Sequence, residues 1–112
     1  MDNPKNDKYY ADKILSDLLF VASHTGEITL DEFEKNEVLI DSVMFRMIQI
    51  SENSAKLTDE FKSMHANIPW RAIKGLRNRI VHEYGNVDLS VVYDTVKKDI
   101  PVLADILSAV EF

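Results

Sequence analysis

The sequence predicts an all-α fold, an antiparallel helical bundle of four to six helices. Apolar residues recur at spacings of three and four along most of the chain, and no segment alternates with a period of two over a useful length. Only 3 glycines and 3 prolines occur in 112 residues, so long helices are rarely interrupted. A chain of this length forms one domain, residues 1–112, around a single core.

The N-terminal half predicts three helices. The first covers residues 7–24 and ends at Thr25-Gly26, a C-terminal stop signal. A short helix over residues 30–35 precedes a long one over residues 36–56. The apolar stripe of the first helix contains Ile14, Leu15, Leu18, Leu19 and Val21.

The C-terminal half predicts the remaining helices. Thr58 and the acids after it are typical of a new helix cap and first turn. A long helix follows over residues 69–84, beginning at Pro69 and ending at Gly85-Asn86. Asp88 can cap the last helical region, residues 89–110, which we expect to be interrupted or bent at Pro101.

Composition restricts the class of protein. The net charge of −6 argues against polyanion binding by the whole surface, and the absence of cysteine excludes disulfides and thiolate metal sites. No apolar run approaches the roughly 20 residues that span a bilayer, and the N-terminus lacks the apolar region of a signal peptide. We therefore expect a cytoplasmic protein with no membrane contact. Positive charge is concentrated between Pro69 and His82, a segment without acids that contains Arg71, Lys74, Arg77 and Arg79.

The segment LRNRIVHEYG, residues 76–85, has an arginine on its apolar face. On a helical wheel, Arg77 lies within about 60° of Trp70, Ile73, Ile80, Val81 and Tyr84. His82 lies about 140° away on the basic face, where Asn78 is its i, i+4 neighbour. Arg77 therefore needs an acidic partner, and Glu52 is a candidate because it shares a helix face with Phe45 and Ile48.

Each of these residues also has a purely structural explanation. Arg77 can be a packing residue with a buried stem, and His82 can be simply solvated. Trp70 and Tyr84 are more readily explained as core or interface aromatics than as platforms for stacking. The combination of phosphate-handling side chains within eight positions, on an otherwise acidic protein, favours a functional site.

The run from Trp70 to Tyr84 resembles the signature helix of the HepT-like branch of the HEPN superfamily. Its pattern is an arginine followed by a polar residue, with a histidine five positions after the arginine and a tyrosine two further on; Arg77, Asn78, His82 and Tyr84 fit it. The similarity continues through residues 87–89 and 96–103, and residues 48–57 resemble the second core helix. This chain differs there, with Ser51-Glu52-Asn53-Ser54-Ala55 in place of a Gly-Glu-Ala type of segment.

The resemblance implies a metal-independent endoribonuclease that acts as the toxin of a toxin–antitoxin pair. It implies a homodimer whose two motifs meet in one cleft, and an antitoxin that is a small nucleotidyltransferase of the MntA type. That antitoxin would neutralise the toxin by attaching AMP to Tyr84. The expected catalytic residues are Arg77, His82 and Asn78, and the expected RNA-binding residues are Arg71, Lys74 and Arg79.

These residue types suit metal-free RNA cleavage. Histidine carries protons near neutral pH, since its unperturbed pKa is about 6.5. Arginine supplies a fixed charge and a fork that matches phosphate oxygens. One straight helix cannot easily aim Arg77 and His82 at one phosphate, so we expect a composite site at a dimer interface that the apolar residues near Arg77 help to form.

Two other functions remain open. One is a non-catalytic HEPN subunit that binds a nucleotide or docks a nucleotidyltransferase; the other is a plain helical dimerisation module in which Arg77 is only ion-paired. No cofactor and no metal are expected, because His24, His65 and His82 lie far apart in sequence without HxxxH or HExxH companions. His24 is better explained by a helix C-terminus, and His65 by the turn before Pro69.

Overall fold

The computed structural model describes residues 6–83, 86 and 88–112, without the side chains of residues 76, 79 and 81–83. This part of the chain is helical with no strand, which confirms the predicted all-α class. Residues 89–108 run continuously through a π-helical turn, and counting them as one helix gives six helices among the described residues. The elements are α1 (Asp7–Thr25), α2 (Leu30–Glu34), α3 (Glu37–Ser54), α4 (Asp59–Met64), α5 (Trp70–Glu83), α6 (Leu89–Asp94), the π-helical turn (Thr95–Asp99) and α7 (Ile100–Ser108).

Side-chain caps fix where most of these helices begin. A cap oxygen accepts a hydrogen bond from a backbone N–H of the first turn, which would otherwise have no partner. The predicted caps Thr58 and Asp88 act in this way. Thr29 and Glu32 form a reciprocal capping box at the start of α2, which the sequence analysis did not identify. The remaining caps are Asn6 for α1 and Asn36 for α3.

The core lies where α1 packs against α3 and α7, and α3 in turn packs against α5. Ile14, Leu18 and Val21 of α1 are buried as predicted. Leu19, which the sequence placed in the same stripe, is 52% exposed. It is one residue after Leu18 and therefore points about 100° away from the core.

The sequence predicted a helix interrupted or bent at Pro101, and the structure instead has a π-helical turn over Thr95–Asp99, directly before α7. Proline has no N–H to donate, and its ring crowds the carbonyl four residues before it. The wider turn accommodates this, with the N–H of Ile100 donating to the carbonyl of Thr95 five residues earlier. The helix therefore continues without a break, and Ile100 and Leu103 stay buried.

An ion pair links α1 and α3 at the edge of the core. Arg46 Nη1 lies 2.7 Å from Asp17 Oδ1, and Asp17 is 8% exposed. The guanidinium also lies over the ring of Phe20, 3.9 Å from its centroid. The pair thus links α1 to α3 with both of its charges compensated. None of the helices in the described ranges combines the length and apolarity that a membrane span requires.

Candidate nucleic-acid site on helix α5

Apolar contacts and one hydrogen bond set the position of α5 on the bundle. The indole Nε1 of Trp70 donates to the carbonyl of His65 at 3.2 Å, which anchors the first turn of the helix. Ile80 is fully buried, and Trp70 and Ile73 pack partly buried against the same core. The predicted apolar face of α5 therefore packs onto α3 within a single chain.

This packing corrects one expectation. The apolar residues near Arg77 were expected to help form a dimer interface, but Ile80 has no exposed surface in the single chain. Ile73 and Trp70 also pack against the core of the same chain, partly buried. Of the five residues near Arg77 on the wheel, Trp70, Ile73 and Ile80 lie on the face that packs against the core, while the side chain of Val81 and all of Tyr84 lie outside the described residues.

Arg77 is half-buried and paired with Glu52 of α3. Arg77 Nε lies 2.7 Å from Glu52 Oε1, and the two side chains are 33% and 46% exposed. Arg77 Nη1 donates to Asn78 Oδ1 at 3.3 Å. A guanidinium carries five N–H donors, one on Nε and four on the two outer nitrogens. Glu52 binds the Nε of Arg77, so it fixes the orientation of the guanidinium and leaves the outer nitrogens for other acceptors. A second acceptor such as a phosphate oxygen can be bound there.

A cleft of about 440 Å³ opens beside this pair, between α3, α4 and α5. Four cations and one carboxylate line it, and the carboxylate is the one already bound to Arg77. Within the described ranges, Lys62, Arg71 and Lys74 have no carboxylate within 4 Å. The local charge is therefore positive on a protein of net charge −6. The lining residues are Ser51, Glu52, Ser54, Ala55, Lys62, Trp70, Arg71, Lys74, Arg77 and Asn78.

The structure brings together five of the residues that the sequence selected: Glu52, Arg71, Lys74, Arg77 and Asn78 line the one cleft. His82 and Arg79 belong to α5, but their side chains lie outside the described residues, as does all of Tyr84. The expected contact between Asn78 and His82 therefore also lies outside the described residues.

Sequence reasoning did not find the contribution of α3 and α4 to the floor and rim of the cleft. Lys62 of α4 and the buried hydroxyls of Ser51 and Ser54 were not selected. A lone lysine in a short helix carries no signal of its own, because its position relative to α5 depends on the tertiary packing of α4.

The two other histidines have structural surroundings. His24 lies in the last turn of α1, with Nδ1 2.8 Å from the carbonyl of Phe20, as a residue near a helix C-terminus should. His65 caps the C-terminus of α4 in the turn before Pro69. Among the residues that the structure describes, no three side chains of His, Cys, Asp or Glu converge as metal ligands would.

The fold and the cleft define a helical protein with a cation-lined cleft beside α5. Residues 14–110 match the model of the family described as "Ribonuclease HepT-like". The chain belongs to this HepT-like ribonuclease family, which is a branch of the HEPN superfamily.

Proteins with similar sequences carry names consistent with this family. The protein named "Putative RNase TTE0752" from Caldanaerobacter subterraneus is 30% identical over 99 residues, covering 88% of each chain. "Probable ribonuclease HepT" from Thermococcus cleftensis is 31% identical over 99 residues, covering 88% of this chain and 90% of that one. "Gamma-glutamylcyclotransferase and putative RNase MJ0434" from Methanocaldococcus jannaschii is 33% identical over 101 residues, covering 90% of this chain and 46% of that one. No solved structure matches the chain.

Proposed function

We infer that the chain is a metal-independent endoribonuclease and the toxin of a HepT/MntA-type toxin–antitoxin pair. The observation that supports this best is the Arg77–Glu52 pair, which holds a guanidinium at the edge of a cation-lined cleft. The relatives of this chain are named as ribonucleases. The cations of the cleft would supply the positive charge that stabilises a phosphate during RNA cleavage.

The proposed reaction begins with attack of a 2′-hydroxyl on the adjacent phosphorus. The 2′-oxygen loses its proton as the new P–O bond forms, and the bond to the 5′-oxygen then breaks as that oxygen gains a proton. His82 is the proton carrier, Arg77 stabilises the crowded phosphorane, and Asn78 donates to a phosphate oxygen. The products are a 2′,3′-cyclic phosphate and a free 5′-hydroxyl.

We propose that two copies complete the site, with α3 at the interface instead of the apolar face of α5. Val38, Phe45 and Glu52 are seven residues apart and so share one face of α3, drifting only about 20° per step. Val38 is 78% exposed and Phe45 is 56% exposed, so the apolar part of this stripe has no cover in one chain. A second copy on this stripe would lie next to Glu52 and Arg77.

The proposed partner is an MntA-type nucleotidyltransferase, and the proposed modification is AMP on the hydroxyl of Tyr84. Tyr84 is seven residues after Arg77, the interval at which residues share a helix face. AMP on Tyr84 would add a negative charge and bulk to the tyrosine of the motif, which would oppose RNA entry both electrostatically and sterically.

Growth on inducing the chain alone tests the function. The wild-type chain should stop growth, whereas His82→Ala and Arg77→Ala variants that remain folded should not. Toxicity that neither variant changes would contradict a ribonuclease built on these residues.

A second function is favoured by the size of the cleft, which suits one nucleotide as well as an RNA strand. A non-catalytic HEPN subunit that binds a nucleotide or docks a nucleotidyltransferase would use the same cations. Absence of toxicity, together with tight binding to the nucleotidyltransferase, would favour it.

A further inference from the structure

We propose that a groove between α4 and α5 is a subsite for single-stranded RNA beside the scissile phosphate, with Lys62 binding a backbone phosphate and Trp70 contacting a base. This inference rests on the proposed ribonuclease function and names how its substrate is held. Lys62 and Trp70 are positioning residues for the strand and take no part in the bond changes.

The groove is continuous with the cleft at Arg77. The cleft shares Lys62, Trp70 and Arg71 with a second, more open depression of about 600 Å³ that continues over α4 and Pro69. From Asn78 back to Trp70 the helix rises about 12 Å. This length extends well beyond one phosphate, so the surface can follow a strand away from the site of cleavage.

The charges along the groove fit a polyanion. Lys62 from α4 faces Arg71 and Lys74 from α5 across the same cleft. Glu52 is bound to Arg77, which leaves Asp59 at the outer rim as the other acid lining the groove in the described ranges. Lys62 is partly buried and lines both parts of the groove, so its stem packs along the groove wall while its charge is available to a phosphate.

Trp70 provides a surface that a base can contact. Its indole packs against the core on one side, and the residue also lines both parts of the groove. The hydrogen bond from Nε1 to the carbonyl of His65 fixes the ring, so little side-chain entropy is lost when a base stacks on it. Proteins bind single-stranded RNA in this way, with bases stacked on aromatic side chains and cations along the backbone.

The test measures the fluorescence of Trp70, which reports on this position alone because Trp70 is the single tryptophan of the chain. The full chain is titrated with a short 2′-O-methyl oligoribonucleotide of mixed sequence, which lacks the attacking hydroxyl and cannot be cut. We expect its tryptophan fluorescence to be quenched. Lys62→Ala should raise Kd about tenfold and lower the slope of log K against log salt by about 0.7. The matched control is Lys98→Ala, an exposed lysine on the π-helical turn, which should leave both values unchanged.

The outcomes separate this subsite from the proposed function. Cleavage of RNA by the wild-type chain without quenching, or equal Kd values for the two lysine variants, would overturn the subsite and leave the ribonuclease standing. Quenching that depends on Lys62 in a chain that cuts no RNA would support the subsite and contradict the ribonuclease. Equal quenching by a duplex of the same sequence, or by inorganic phosphate, would also overturn it, because neither presents an unstacked base.

Discussion

Glu52 on α3 and Arg77 on α5 form an ion pair of 2.7 Å between Oε1 and Nε at the edge of the cationic cleft. Because both side chains are partly exposed, the pair contributes less than about 1 kcal/mol to stability. The main effect of the pair is on geometry, because Glu52 holds the guanidinium of Arg77 in one orientation through Nε. We therefore propose that Glu52 is a positioning residue for Arg77.

Replacing Glu52 should affect activity far more than stability. Without the carboxylate the guanidinium loses its fixed orientation, so Glu52→Ala should lower kcat on RNA by about a hundredfold with a change of less than about 1 kcal/mol in unfolding free energy. Glu52→Gln, which keeps an acceptor oxygen, should retain part of the activity. Glu34→Ala on α2 is the control and should change neither. A parallel fall in kcat and in the unfolding free energy of Glu52→Ala would contradict a positioning role.

The exposed apolar stripe on α3 gives a prediction for assembly. A charge at Phe45 should prevent a second copy from packing there. The wild-type chain should therefore sediment as a dimer and Phe45→Glu as a monomer, and cleavage should fall with the loss of the dimer. Val102→Glu on α7 is a matched control, because Val102 is 55% exposed and Phe45 is 56% exposed. A wild-type monomer with full nuclease activity would exclude the composite site.

The Asp17–Arg46 pair should be important for stability. Arg46→Met keeps most of the apolar stem but leaves the carboxylate of Asp17, which is 8% exposed, without its partner. We expect a loss of about 2 kcal/mol, or roughly 8 °C in Tm, by thermal unfolding. Adding Asp17→Asn should recover part of that loss, since the uncompensated charge is then removed. A double variant less stable than Arg46→Met would contradict this explanation.

Tyr84 should be the acceptor of AMP. When the chain is incubated with ATP and an MntA-type nucleotidyltransferase, the wild-type protein should gain the mass of AMP and lose activity. Tyr84→Phe, which lacks only the hydroxyl, should gain no mass and stay active in the presence of the enzyme. Modification of Tyr84→Phe at the wild-type rate would place the acceptor elsewhere, with Tyr9, Tyr10 and Tyr93 as the other tyrosines.

Local signals in the sequence predicted most of the helices. The caps at Thr58 and Asp88 and the apolar period of α1 depend on neighbouring residues, so each could be located from the chain alone. Ile80 shows the limit of this reasoning. A wheel gives the direction of a side chain but not what faces it, and so it could not distinguish burial within the chain from a dimer interface.

The candidate site was predictable in part for the same reason. Arg71, Lys74, Arg77 and Asn78 follow each other on one helix, and a motif at fixed spacing can be recognised from the sequence. Glu52 was identifiable as a partner because an arginine on an apolar face needs a nearby acid. Lys62 reaches the cleft only through the packing of α4 on the bundle, which no local pattern encodes.

The most direct measurement is the chemistry of the RNA ends made by the purified chain in the presence of EDTA. The wild-type chain should cut RNA and leave 2′,3′-cyclic phosphate and 5′-hydroxyl ends, and folded His82→Ala and Arg77→Ala variants should lose at least about a hundredfold in rate. Cleavage that EDTA abolishes, or that both variants retain at the wild-type rate, would contradict a metal-independent ribonuclease built on Arg77 and His82.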